Sequence, residues 1–135
     1  MKTIVTAYLS SLLAMLVIDG MWLGITMKRF YAARIGHLLA ESAKLGPAAV
    51  FYLLYILGVT LLVVTPALRE QAGLHKVFLA GALLGMMAYG TYDLTNQATL
   101  KDWPLTVTIV DLAWGTLLTG MVSLTSVFCT RMIAN

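Results

Sequence analysis

Long apolar runs separated by short polar connections dominate the chain. Four of these runs can cross a bilayer, because a membrane-spanning helix needs about 20 mainly apolar residues. They cover residues 4–27, 47–67, 77–100 and 104–129. Lipid offers no hydrogen bonds to the backbone, so spans of this length must be helical. The pattern predicts an all-α fold, an integral membrane four-helix bundle in which residues 1–135 form a single membrane domain.

The connection between the first and second spans has a helical periodicity of its own. Its apolar and polar residues fall on opposite faces of a helix: Tyr31, Ile35, Leu38 and Leu45 on one, and Arg34, His37, Glu41 and Lys44 on the other. This pattern predicts a short interfacial amphipathic helix lying in the membrane surface. A solvated loop is the alternative.

Composition agrees with a lipid environment. The chain is 60% hydrophobic and only 11% charged, whereas soluble domains carry about 25% charged residues. The single cysteine, Cys129, excludes an internal disulfide and a cysteine metal cluster, and His37 and His75 lie far apart in sequence. We therefore expect no metal site and no cofactor. No basic run is interleaved with aromatic residues, so nucleic-acid binding is not expected.

The first apolar run resembles a signal peptide only superficially. It is too long, and it has no small-x-small cleavage site before the charged connection, so we interpret it as a retained span. Four spans place both termini on one side. Basic residues are split almost evenly: Lys28, Arg29, Arg34, Lys44 and Lys101 on the connection side, and Lys2, Arg69, Lys76 and Arg131 on the other. The basic cluster after the first span favours termini on the outer side.

Three aspartates interrupt the apolar runs. Asp19 lies in the first span, Asp93 in the third and Asp111 in the fourth. Counted from the span ends at 1.5 Å per residue, all three lie on the order of 10 Å below the same surface. An ionised aspartate at mid-helix costs roughly 2.5 to 3.5 kcal/mol, and no Lys, Arg or His lies within the spans. The sequence therefore predicts an acidic layer formed by these three residues.

Helical spacing adds polar and aromatic residues to the acidic layer. In the third span a tyrosine and two amides share the face of the aspartate, and a tyrosine of the second span comes from the same side. In the first and fourth spans a tryptophan follows the aspartate by three residues, which sets its ring beside the carboxylate. The candidate ligand- or ion-binding residues are Asp19, Asp93, Asp111, Asn96, Gln97, Tyr55, Tyr89, Trp22 and Trp114.

Three arrangements can neutralise the acidic layer. The acids can be protonated, because burial and like charges both disfavour an ionised carboxylate. They can bind a cation or a cationic ligand. Alternatively, Lys28, Arg29 and Lys101 can reach down from the surface, as long side chains do near helix ends. A purely structural interpretation also stands, in which buried polar side chains hydrogen-bond the helices together.

Two small-xxx-small pairs lie in the spans, Gly20 with Gly24 and Gly81 with Gly85. Such pairs let helix backbones approach closely. They can serve packing inside the bundle or a homodimer, and both alternatives stay open.

The segments TYDLTNQATLKDWP and VDLAWGTLLTG, together with IDGMWLG in the first span, resemble the bacterial membrane-protein family catalogued as domain of unknown function 2177. The resemblance covers nearly the whole chain. It implies a small four-helix protein of the bacterial inner membrane without an assigned activity. It also implies an association with genes for fatty-acid modification, such as cyclopropane-type methyltransferases, which is not a mechanism.

Three functional hypotheses follow. The first is a binding or transport protein whose acidic layer holds a proton, a cation or a small cationic or lipid-like amphiphile. The second is an enzyme or accessory protein in the modification of membrane lipids, with a carboxylate pair as general acid and base. An enzyme is the less favoured class, since the sequence offers no nucleophile paired with a base and no catalytic residue can be named. The third is a structural subunit of a membrane complex.

Overall fold

Four long helices carry the chain in the computed structural model, which describes residues 1–134. Each is long and apolar enough to cross a membrane: α1 (Lys2–Leu38), α2 (Leu45–Arg69), α3 (Leu74–Thr99) and α4 (Leu105–Ala134). No β-strand occurs in residues 1–134. The all-α bundle that the apolar runs predict is therefore confirmed.

The first helix does not end where its apolar run ends. After the α-helical Lys2–Thr26 it passes through one wide π turn, Met27–Tyr31, and continues through Ala32–Ile35 to a last 3₁₀ turn. Tyr31 and Ile35 are buried against Trp103 and Val107. The separate interfacial helix is therefore not confirmed, because Tyr31 and Ile35 pack onto the start of α4, whereas Leu38 and Leu45, the other residues of the predicted apolar face, stay exposed.

The second helix also contains a wide turn. It is α-helical at Leu45–Val59, π-helical at Thr60–Val64 and α-helical again at Thr65–Arg69. The wide turn lies directly before Pro66, which has no N–H to donate and whose ring crowds the preceding turn. The end of α2 is fixed from α4, since Arg131 donates a hydrogen bond to the carbonyl of Ala72 at 2.8 Å.

The closest approach of two helices is between α3 and α4. A Cβ atom added at Gly85 would overlap the carbonyl oxygen of Gly115, and one at Gly81 would overlap Ser123. One glycine pair therefore serves packing inside the bundle, as close helix crossings require. Gly20 and Gly24, in contrast, lie exposed on α1 with nothing within 4 Å of an added Cβ.

The core is centred on α4, which packs between α3 and α1. Among its fully buried residues are Val107, Leu118, Val122 and Val127. Large apolar side chains on the outer faces of the helices remain exposed, including Leu13 on α1, Leu54 on α2 and Leu83 on α3. A surface this apolar is stable only in contact with lipid, so a bilayer is the environment of the folded chain.

Gly85→Ala tests the close crossing of α3 and α4. Although alanine favours a helix, its methyl group would overlap a backbone carbonyl that cannot rotate away. We expect the free energy of unfolding to fall by about 1–3 kcal/mol, the usual cost of overpacking. Gly24→Ala is the matched control and should leave stability unchanged or slightly higher. Unfolding in sodium dodecyl sulfate, followed by circular dichroism, measures both. Equal stability in the two variants would contradict the crossing.

Candidate functional site

The three aspartates of the acidic layer are all buried. The exposed fraction is 5% for Asp19, 0% for Asp93 and 8% for Asp111. A carboxyl group removed from water in this way needs hydrogen bonds or an opposite charge. The partners of each aspartate therefore decide what it can do.

Asp19 is held by two neutral donors. Its carboxylate accepts hydrogen bonds from the hydroxyl of Tyr52 on α2 at 2.5 Å and from Nε1 of Trp114 on α4 at 3.0 Å. Each of its oxygens therefore has a partner. Because the two donors come from different helices, Asp19 ties α1, α2 and α4 together, which is a structural role.

Asp111 is held by the end of α1. The hydroxyl of Tyr31 donates a hydrogen bond to its carboxylate, and the same hydroxyl accepts a longer hydrogen bond from Nε1 of Trp22 at 3.3 Å. Tyr31 closes the wide turn of α1. Only because the helix continues past the end of its apolar run does this hydroxyl come within reach of α4.

A tryptophan pair lies between the two hydrogen-bonded aspartates. The rings of Trp22 and Trp114 are stacked, with centroids 4.2 Å apart and planes at 9°. The N–H of Trp114 points to Asp19 and that of Trp22 to the Tyr31 hydroxyl. An indole N–H only donates hydrogen bonds. The stack therefore connects the hydrogen bonds of the two carboxylates but cannot pass a proton from one to the other.

Asp93 is the exception among the three. Its side chain faces that of Asp111. Within residues 1–134, neither of its carboxyl oxygens has a hydrogen-bond donor, although both are buried. Two ionised carboxylates cannot hydrogen-bond each other, whereas one proton between them supplies the missing bond. Leaving a buried charged group unpaired costs several kcal/mol, so the pair Asp93–Asp111 is the place where an additional positive charge or proton is needed.

The basic residues near the helix ends do not supply this charge in the described part of the chain. Lys28, Arg29 and Lys101 have exposed side chains, and the donors to Asp19 and Asp111 are tyrosine and tryptophan side chains. In residues 1–134 no group of three or more His, Cys, Asp or Glu side chains is arranged to hold a metal ion.

The two amides have different surroundings. Gln97 closes a ring of hydrogen bonds at the α3–α4 connection: it donates to the carbonyl of Trp103 at 3.1 Å and accepts from Thr108 at 3.0 Å, and Thr108 accepts from Trp103 Nε1 at 3.0 Å. Gln97 therefore shapes the connection that positions α4. Asn96 is partly buried and lies beside Tyr92.

The tyrosine side chains have partners other than those that helical spacing indicates. Tyr55 lies near Asp19, but its hydroxyl pairs with that of Thr119 at 2.7 Å. Tyr89 covers Gly115 with its ring and lies near Asp19 and Asp111. The residues that sequence reasoning misses are Tyr31 and Tyr52. Tyr52 has the same spacing signal as Tyr55, one turn earlier, whereas the position of Tyr31 depends on a π turn that no residue pattern announces.

A cavity of about 380 Å³ adjoins the carboxyl pair. It is lined by Phe51, Ala88, Tyr89, Tyr92 and Asp111. This volume falls in the range of small-molecule sites, which are mainly apolar with a few polar groups. We refer to it below as the Asp111 cavity.

A comparison with protein families agrees with the resemblance in the sequence. A family model described as a predicted membrane protein, DUF2177, matches residues 4–128. No curated protein and no solved structure matches the chain. The geometry of the site therefore has to carry the functional argument.

Tyr31→Phe tests the hydrogen bond that holds Asp111. It removes the hydroxyl donor from a buried carboxylate, so we expect the free energy of unfolding to fall by roughly 1–3 kcal/mol. Tyr8→Phe is the control, because the Tyr8 hydroxyl donates at 3.2 Å to a backbone carbonyl in an exposed position. It should change stability by less than about 0.5 kcal/mol. Detergent unfolding followed by tryptophan fluorescence compares the two, and equal losses would show that Tyr31 is not a partner of Asp111.

Proposed function

The chain belongs to the DUF2177 family of predicted membrane proteins, and we propose that it binds and transfers a proton at the carboxyl pair Asp93–Asp111. One observation carries the proposal. Asp93 is fully buried and faces Asp111, and neither of its oxygens has a donor in the described part of the chain. A single shared proton supplies one strong hydrogen bond and removes one of the two negative charges, so it reduces both deficits at once.

The donors around the pair favour a proton over a fixed ion pair. Tyr31 is neutral, so its hydrogen bond satisfies a carboxylate oxygen without cancelling the charge. A permanent Lys or Arg partner would keep Asp111 ionised at all times. With a tyrosine as partner, the charge of the pair can change, which is what proton uptake and release require.

A stripe of buried hydroxyl groups supports transfer across the membrane. Along α4 the hydroxyl-bearing residues Thr119, Ser123, Ser126 and Thr130 recur every three or four positions, and each is 0% exposed. From Thr119 to Thr130 the helix rises roughly 17 Å, about half the thickness of the hydrocarbon core. Hydroxyl groups both donate and accept hydrogen bonds, so the stripe supports a route for protons through this half of the bundle.

Neighbouring helices add hydroxyl groups to this stripe. Tyr55 pairs with Thr119 at 2.7 Å, and the hydroxyls of Ser10 and Ser126 lie 3.2 Å apart. The hydroxyl of Thr130 is buried without a partner in residues 1–134. An orphaned polar atom of this kind is a site for a buried water molecule.

The proposal includes a location in the bacterial inner membrane with both termini outside. Lys28 and Arg29 directly follow the α-helical part of α1 and are exposed, which favours this end of the bundle as cytoplasmic. The carboxyl pair then lies nearer the cytoplasmic face. A reporter fused to the C-terminus tests the orientation, and a cytoplasmic signal would reverse it.

Asp93→Asn tests the shared proton. We expect the infrared band of a protonated buried carboxyl group, present in the wild type, to disappear, because the amide cannot share the proton. Glu41→Gln makes the same chemical change on an exposed residue of the α1–α2 connection and should leave the band intact. Infrared difference spectra of protein in phosphatidylcholine vesicles measure the band.

Proton flux into the same vesicles, followed with a trapped pH-sensitive dye after an acid pulse, tests transfer. The wild type and Glu41→Gln should acidify the interior faster than empty vesicles, whereas Asp93→Asn should match empty vesicles. A band that survives in both Asp93→Asn and Asp111→Asn would refute proton sharing. A wild-type flux equal to that of empty vesicles would refute transfer.

A further inference from the structure

The Asp111 cavity has a chemical asymmetry that the proton proposal does not use. Four of its five lining residues are aromatic or alanine: Phe51, Ala88, Tyr89 and Tyr92. The remaining one, Asp111, is the acidic residue of the lining and is 8% exposed. The cavity therefore presents an apolar wall with a carboxyl group at one end.

The exposed edge of the cavity lies on the apolar outer surface of the bundle. Phe51 on α2 and Tyr92 on α3 are 46% and 55% exposed, and the outer faces of both helices are apolar. A ligand can therefore reach Asp111 from the bilayer without passing through water. A larger depression of about 630 Å³ lies at the termini, between Lys2 and Ile133, and none of its lining residues within the described part of the chain carries a side-chain carboxylate.

We infer that the Asp111 cavity binds a single-chain amphiphile with a cationic head group, with the ammonium group at Asp111 and the chain between Phe51 and Tyr92. This inference rests on the proposed function, because the same carboxyl pair holds the proton. Aromatic rings beside an ammonium group add a cation–π attraction. The alkyl chain of the amphiphile fills the apolar part of the cavity and covers the aromatic side chains that line it.

Charge decides against other head groups. Asp19 and Asp93 lie on the same side of the bundle as Asp111, so three carboxyl groups would repel a fatty acid or an alkyl sulfate. A neutral alcohol has no charge to offer the carboxyl pair. An ammonium head group supplies the positive charge that the pair lacks.

Binding of the ammonium group is coupled to the shared proton. The pair carries one negative charge with the proton and two without it, so the ammonium group binds the ionised pair more strongly. When the proton is released, it passes to water at the membrane surface, and the electrons of the broken O–H bond stay on the carboxylate, so charge and atoms balance. The groups that face Asp111 during binding are Tyr31 and Asp19 of α1, and Asp93, Tyr89 and Tyr92 of α3. None of them is cationic, so the ammonium group meets no competing positive charge among them.

The test uses the whole protein in phosphatidylcholine nanodiscs. The probe is an alkyltrimethylammonium that carries a photoreactive diazirine in its alkyl chain. Irradiation should label α2 and α3 around Phe51 and Tyr92. An unlabelled alkyltrimethylammonium of the same chain length should compete, whereas the alkyl sulfate and the alcohol should not. Equal competition by all three would show an ordinary lipid-facing groove and overturn the inference.

Two variants locate the site. Asp111→Asn should lower labelling roughly tenfold or more, since a contact with a charged group contributes at least one factor of ten in affinity. Asp102→Asn is the matched control: its residue is exposed, and its φ of 57° suits asparagine equally well. Unchanged labelling in Asp111→Asn would overturn the role of the carboxylate.

Ala88→Leu separates this inference from the proposed function. The larger side chain should fill the cavity and abolish labelling, while the infrared band of the Asp93–Asp111 pair remains. Labelling that persists in Ala88→Leu places the probe elsewhere and overturns the inference even if Asp111→Asn does not fold. Specific labelling in a wild type without a protonated-carboxyl band would support the amphiphile site and overturn the proton site.

Discussion

Lipid supplies no hydrogen bonds, so every carboxyl group placed inside this bundle must find its donors within the protein. This constraint explains features that otherwise look unrelated. The wide turn of α1 carries Tyr31 to Asp111, and α2 packs in the rotation that sets Tyr52 on Asp19. The ring at Gln97 fixes where α4 begins. Each arrangement positions a donor or the helix that carries an acceptor.

The kind of donor matters as much as its position. Asp19 and Asp111 receive hydrogen bonds from tyrosine and tryptophan, which satisfy oxygen lone pairs but leave the charge in place. For Asp19, with two donors, this is sufficient for a structural role. Asp93 has no donor in the described residues, and its presence beside Asp111 adds a second acid. Asp19, whose oxygens have donors, therefore belongs to the scaffold, whereas Asp93, whose oxygens have none in the described residues, marks the candidate site.

The hydrophobic pattern predicts the four helices well because the lipid requirement acts on every residue of a span. The same pattern locates the three aspartates by depth but does not specify helix rotation. Tyr52 and Tyr55 lie one turn apart, and spacing alone cannot tell which one meets Asp19. Tyr31, Ile35 and Leu38 form an apolar face that suits a membrane surface as well as a protein interior. The start of α4, with Trp103 and Val107, buries Tyr31 and Ile35 but leaves Leu38 exposed. That contact spans more than sixty residues of sequence.

Under the two proposals, one carboxyl pair would take part in two interactions. A proton shared with Asp93 would remove one of the two negative charges of the pair, and a cation that reaches Asp111 through the cavity would neutralise the other. A ligand shifts an equilibrium only by its difference in affinity for the two states. A cationic amphiphile would bind the ionised pair more strongly than the singly protonated pair, so its binding would favour release of the proton, and protonation would weaken its binding by the same factor.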